Sequence, residues 1–119
     1  MSIESYRDLE VWQVAMDLAF DAYTTTRSFP RDELFGLTSQ IRRSASSIPA
    51  NIAEGWGRQS SADYIRFLRI AQGSLKECET HIILARRLEL LTADRSDPLL
   101  QRADRIGRML RALIRSLGE

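Results

Sequence analysis

Apolar residues recur at three- and four-residue steps in four stretches of this chain, and none alternates with polar residues long enough to predict a strand. The first stretch runs from about Asp8 to Arg27. Leu9, Trp12, Met16, Ala19, Phe20 and Tyr23 share one face there, which is the expected core face. The second starts near Pro30, where proline suits a first turn and Asp32 and Glu33 suit the positive end of the dipole. Its stripe is Leu34, Leu37, Ile41, Ala45, Ile48 and Ile52. The third opens at Ser60, a capping residue answered by Asp63. It carries Tyr64, Phe67, Leu68, Ala71, Leu75, Cys78, Ile82 and Ala85 toward about Leu91. The fourth is announced by Ser96-Asp97-Pro98, after which Leu99, Ala103, Ile106, Leu110, Leu113 and Leu117 form a heptad seam before Gly118.

The links at Ser28–Phe29, Gly57–Gln59 and Thr92–Ser96 are short, and short links make consecutive helices antiparallel neighbours. The expected fold is all-α: an antiparallel up-down-up-down four-helix bundle, one domain over residues 1–119.

The first helix has more apolar surface than one bundle core uses. Val11, Val14 and Leu18 lie nearly opposite the Leu9/Trp12/Met16 face, with the acidic strip Glu10, Asp17 and Asp21 between them. On the third helix, Ile65 and Ile83 lie off the core direction. A helix apolar on two sides is usually buried on two sides, so these residues are expected to meet another copy of the chain.

The segment RRSASSIPANIAEGWGR, Arg42–Arg58, has three faces. Its aliphatic side points to the core. Arg43, Ser47, Asn51, Glu54 and Arg58 line a polar face. Ser39, Ser46, Ala50, Ala53 and Gly57 make a third, of small residues that let another backbone approach, so Ala50 and Ala53 join the expected interface. Pro49 removes one helical hydrogen bond and is expected to kink the helix. Gly55 and Gly57 are expected to loosen its end.

Charge changes the picture more than composition does. The net charge is +1, yet residues 1–38 hold three Arg against seven acids, and residues 39–119 hold fourteen Lys/Arg against nine. All but one of the 17 basic residues are Arg, whose planar fork suits carboxylates and phosphates alike. No membrane span or secretory signal is visible, and Cys78 stands alone, so a cytoplasmic protein is expected.

The string FPRDELFGLTSQIRRSASSIPANIAEGWGR, followed by IAQGSLKECE, resembles the four-helix-bundle family of bacterial 23S rRNA intervening-sequence proteins. These are also called S23-type proteins, and accessory proteins of diversity-generating retroelements are their relatives. The similarity spans nearly the whole chain, from Val11-Trp12 to Met109–Leu117. It implies a ring-like homopentamer for which nucleic-acid binding is the leading idea and no biochemical activity is established. Arg42, Arg43, Asn51, Glu54, Gly55 and Arg58 match the family pattern.

Catalytic and metal chemistry find little support. Bundle di-iron sites need carboxylates and two Glu-x-x-His pairs; this chain has His81 alone, with Cys78 three residues before it. GWGR lacks the spacing of a phosphate loop. No catalytic residue, metal or cofactor is therefore assigned. The nucleic-acid case rests on Arg105, Arg108, Arg111 and Arg115 opposite the fourth seam, where Asp104 is the only acid between Leu99 and Leu117. Arg66 and Arg69 add charge on the third helix, and Arg42, Arg43 and Arg58 on the second. The reading is a non-catalytic accessory protein that contacts the backbone of structured RNA; its rival is a ring-shaped adaptor for a partner protein.

Overall fold

Helix α1 (Glu10–Thr26) turns its aliphatic side inward. In the computed structural model, which describes residues 2–118, Val11, Val14, Ala15, Leu18 and Ala22 are all at most 6% exposed. Of the stripe expected to be core, only Ala19 is buried; Met16, Phe20 and Tyr23 are exposed. The two faces are thus reversed, and Val11, Val14 and Leu18 are closed off from any other subunit. The acidic strip flanks that inward face on the side of helix α4 (Ala93–Ser116), where Asp21 pairs with Arg102 and Glu10 with Arg105 (2.7 Å).

After α1 the chain bends at Ser28 and buries Phe29. Regular helix does not resume at Pro30. A 3-10 turn (Arg31–Glu33) leads into one wide, π-type turn (Leu34–Thr38), and helix α2 begins only at Ser39, running to Trp56. Gly36 takes φ −106° and ψ −116° in that wide turn, and Glu33 Oε1 accepts the Leu37 amide at 3.1 Å. A Cβ on Gly36 would stand 2.7 Å from that oxygen, so the missing side chain leaves room for this internal cap. Leu34 and Phe35 are consequently exposed while Leu37 is buried. The stripe Ile41, Ala45, Ile48 and Ile52 is buried as expected, and α2 remains helical through a buried Pro49.

Helix α3 (Ser61–Arg87) starts where Ser60 Oγ accepts the Asp63 amide at 3.1 Å. It ends four residues before Leu91 because Glu89 adopts φ +63°. The Leu90 amide then reaches back to the Ala85 carbonyl (2.9 Å) and the Glu89 amide to that of Arg86 (3.0 Å), the paired closure that stops a helix at a left-handed residue. Helix α4 starts at Ala93, earlier than Ser96-Asp97-Pro98 signals. Ser96 is buried and its hydroxyl faces Arg86 Nη1 at 3.4 Å, so it makes a tertiary contact instead of capping. At the far end Ile114, not Leu113, is buried, because a straight helix drifts away from a strict seven-residue repeat.

Each helix packs on its sequence neighbours, α2 with α3 most extensively, and α1 closes on α4. Contacts step in opposite directions along the α2–α3 and α3–α4 pairs. Ser47 meets Ser74 and Arg43 meets Glu77 between α2 and α3; Arg86 meets Asp97 and a Gly107 side chain would meet Leu75 between α3 and α4. These neighbours therefore run antiparallel, in a bundle measuring 43 × 24 × 23 Å.

Candidate functional site

The outward stripe of α1 and the small-residue face of α2 form one surface. Tyr6, Trp12, Met16, Ala19, Phe20 and Tyr23 line a groove of about 510 Å³ opposite Ser46, Pro49, Ala50 and Ala53. A 3-10 turn (Tyr6–Asp8) builds its end wall. Ser5 Oγ accepts the Arg7 amide (3.1 Å) and the Asp8 carboxylate accepts the Ser5 amide (3.2 Å), which holds Tyr6 edge-on to Trp12 at 5.3 Å between centroids. At the other end, Tyr23 and Ser46 also border a depression carrying Leu34 and Phe35. Phe20 is 67% exposed and Phe35 91%. Contiguous exposed apolar patches of this kind are often interaction sites.

Of the expected interface residues, Ala50 and Ala53 lie in this groove, and Ile83 is exposed near the end of α3 together with Leu84 and Leu88. Ile65 is half-buried against the core. Periodicity places the groove's aromatic wall on one face of α1 but does not show that this face looks outward. Phe35 follows Leu34 directly and so lies off the 34/37/41 stripe, which is the signal in the sequence for its exposure.

The polar signature of α2 is largely occupied within the chain. Arg42 Nε donates to Thr26 Oγ1 (2.9 Å) and Nη2 to the Tyr23 carbonyl (3.4 Å), while its guanidinium lies over the Tyr23 ring. It thereby satisfies groups at the C-terminal, negative end of α1. Arg43 bonds Gln40 and reaches Glu77. Asn51 Nδ2 donates to the Ser47 carbonyl (2.8 Å) and to Ser47 Oγ (3.0 Å), and that hydroxyl meets Ser74 Oγ at 2.9 Å. Arg58 pairs with Glu54 and lies over Phe67, and Arg66 sits within the same 4.5 Å of that ring while pairing with Asp63. Gly55 is buried against α3 and serves packing, not a loosened helix end.

On α4, Arg105 pairs with Glu10 and Arg108 with Asp104 (3.5 Å). Arg111 and Arg115 have no carboxylate partner among the described residues. With Ile114, and Arg69 of α3, they line a small polar pocket of about 190 Å³. Arg69 itself donates to Gln72 at 3.1 Å. The nine arginines thus fall into one group that stitches the fold and a smaller group gathered at one end of the α3–α4 seam.

Among the described residues, no group of three or more His, Cys, Asp or Glu is placed to hold a metal, and no helix is long and apolar enough to cross a membrane. Cys78 is buried in the core, where burial pushes its thiol up to about 11; a Ser44 hydrogen bond offsets part of that rise.

The family model of the 23S rRNA-intervening sequence protein matches residues 7–112. This chain belongs to that family. No curated protein matches it. A solved structure from Bacteroides thetaiotaomicron, described as a protein of unknown function from the S23 ribosomal protein family, superposes with a TM-score of 0.79 at 29% identity. The match covers 87% of this chain and 97% of that one. The fold of the intervening-sequence family therefore extends over nearly all of the bundle described above.

Proposed function

We propose that this intervening-sequence protein is a non-catalytic, cytoplasmic building block that assembles with copies of itself, as the pentameric ring implied by the resemblance, and presents arginines to structured RNA. The observation that carries self-association is the exposed Met16, Phe20 and Tyr23, with half-buried Trp12, beside Ala50 and Ala53. Fully covering one exposed large apolar side chain contributes about 1.5–3 kcal/mol; these side chains are already partly covered, so each adds less, and the contributions of both copies at an interface sum against the cost of association. The test is the mass in solution by light scattering. The unmodified chain is expected to be an oligomer, and Phe20→Glu with Met16→Glu to give a helical monomer. A monomeric unmodified chain overturns the proposal.

RNA is the favoured ligand because the excess of cations over residues 39–119 is almost all arginine, and because the family takes its description from ribosomal RNA. Backbone binding makes affinity fall steeply with salt. The second reading, a ring-shaped adaptor for a protein, is favoured by the internal ion pairing of Arg43, Arg58, Arg66, Arg105 and Arg108. Titrating an RNA hairpin across a salt series separates the two: absence of binding at low salt leaves the adaptor.

A further inference from the structure

We propose that Arg111 and Arg115, with Arg69 forming the facing wall, make a discrete phosphate site across the α3–α4 seam. The register places these residues together. Gly107 of α4 lies against Leu75 of α3, where an added Cβ would stand 3.4 Å from Leu75 Cδ2. One and two turns further along α4, Arg111 and Arg115 fall opposite Arg69, which is correspondingly earlier on antiparallel α3. The same added Cβ would be 3.8 Å from Arg111 Nη1, so the guanidinium of this exposed residue lies back toward Gly107 along the seam.

Charge bookkeeping around the pocket points to an anion. Arg105 and Arg108, on the preceding turn or two, each have a carboxylate; Arg111 and Arg115 have none among the described residues. Arg115 has a partial structural explanation, since a cation in the last turn favours the negative end of α4. Arg111 sits a turn too early for most of that benefit. Guanidinium forks match phosphate oxygens in paired hydrogen bonds, and an anion shared between them relieves their mutual repulsion. At about 190 Å³, with only Ile114 as an apolar element, the pocket is smaller than sites that enclose whole organic ligands. It suits one phosphate group, from an RNA backbone or as the free ion.

The proposal rests on the RNA reading for its natural ligand and is tested separately from it. The full chain, Arg111→Gln/Arg115→Gln and the control Arg95→Gln are titrated with an RNA hairpin over a salt series. In parallel they are melted in sodium phosphate and in chloride of equal ionic strength. The double variant is expected to lose at least tenfold in RNA affinity at low salt and to show a salt slope shallower by about one to two units. Arg95→Gln, at the opposite end of α4, should change affinity less than twofold, and Arg111→Lys/Arg115→Lys should recover part of the loss. Wild-type affinity and slope in the double variant would overturn the site and leave RNA binding standing. If the unmodified chain binds no RNA, a phosphate-specific rise in melting temperature that the double variant lacks supports a free-phosphate site. Equal melting in both salts, without RNA binding, removes site and RNA reading together.

Discussion

Gly55 on α2 faces Phe67 on α3 so closely that a methyl group on the glycine would stand 2.9 Å from the Phe67 Cβ and 3.2 Å from the Tyr64 carbonyl oxygen. Neither obstacle is the far end of a flexible chain. On an isolated helix Gly→Ala is favourable by about 1 kcal/mol; here overpacking reverses the sign. Gly55→Ala is expected to destabilise the protein by about 1–3 kcal/mol, measured as a lower urea midpoint at unchanged slope. A midpoint at or above the unmodified value would mean the two helices are free to part there.

Glu89 makes the opposite case. It occupies a left-handed turn at φ +63° that closes α3, a position where glycine costs least. Glu89→Gly is expected to stabilise by about 1 kcal/mol and raise the melting temperature by a few degrees, followed by circular dichroism. A fall would show that the Glu89 side chain contributes more than its backbone strain.

The faces of α1 separate folding from assembly. Val14 is in the core and Phe20 on the surface. Val14→Ala should cost about 2 kcal/mol of protomer stability through loss of buried methyls and the void left behind. Phe20→Ala should leave protomer stability within about 0.5 kcal/mol while weakening self-association, read as a concentration-dependent mass. If Phe20→Ala destabilises the isolated protomer as much as Val14→Ala does, the aromatic stripe belongs to the fold and not to an interface.

That contrast also marks what the sequence could disclose. Helical periodicity located all four helices, and the stripe of α2 from Ile41 to Ile52 is buried residue for residue. Periodicity measures which residues share a face; it does not say which of two apolar faces looks inward. On α1 the compact aliphatic face looks inward and the acidic strip beside it meets Arg102 and Arg105, partners far along the chain. Helix ends failed for a similar reason. Glu89 gives no sign of a left-handed turn, and Ser96 resembles a cap until Arg86 claims its hydroxyl. The arginines were visible as a set, but which of them the fold ties to carboxylates depends on what the bundle brings near.

Cys78 supplies a prediction with a definite direction in pH. Its thiol has an ordinary value of 9.0, and burial pushes it up to about 11 in the folded chain, with Glu79 and Glu77 reinforcing the rise and Ser44 opposing it. Between those values the unfolded chain has lost a proton that the folded chain keeps, so stability is full below about pH 9 and declines as pH rises toward 11. The slope approaches about 1.4 kcal/mol per pH unit, or roughly 2–3 kcal/mol over the window. Cys78→Ala removes this contribution, whereas half-buried Tyr64, also raised by burial, titrates in both proteins. The stability gap between the unmodified chain and Cys78→Ala, measured by urea unfolding from pH 8 to pH 11, should therefore narrow steadily as the buried thiol becomes a liability. A gap that stays constant would mean the core opens to the thiolate without penalty, and the thiol would then react with a disulfide reagent in the native state.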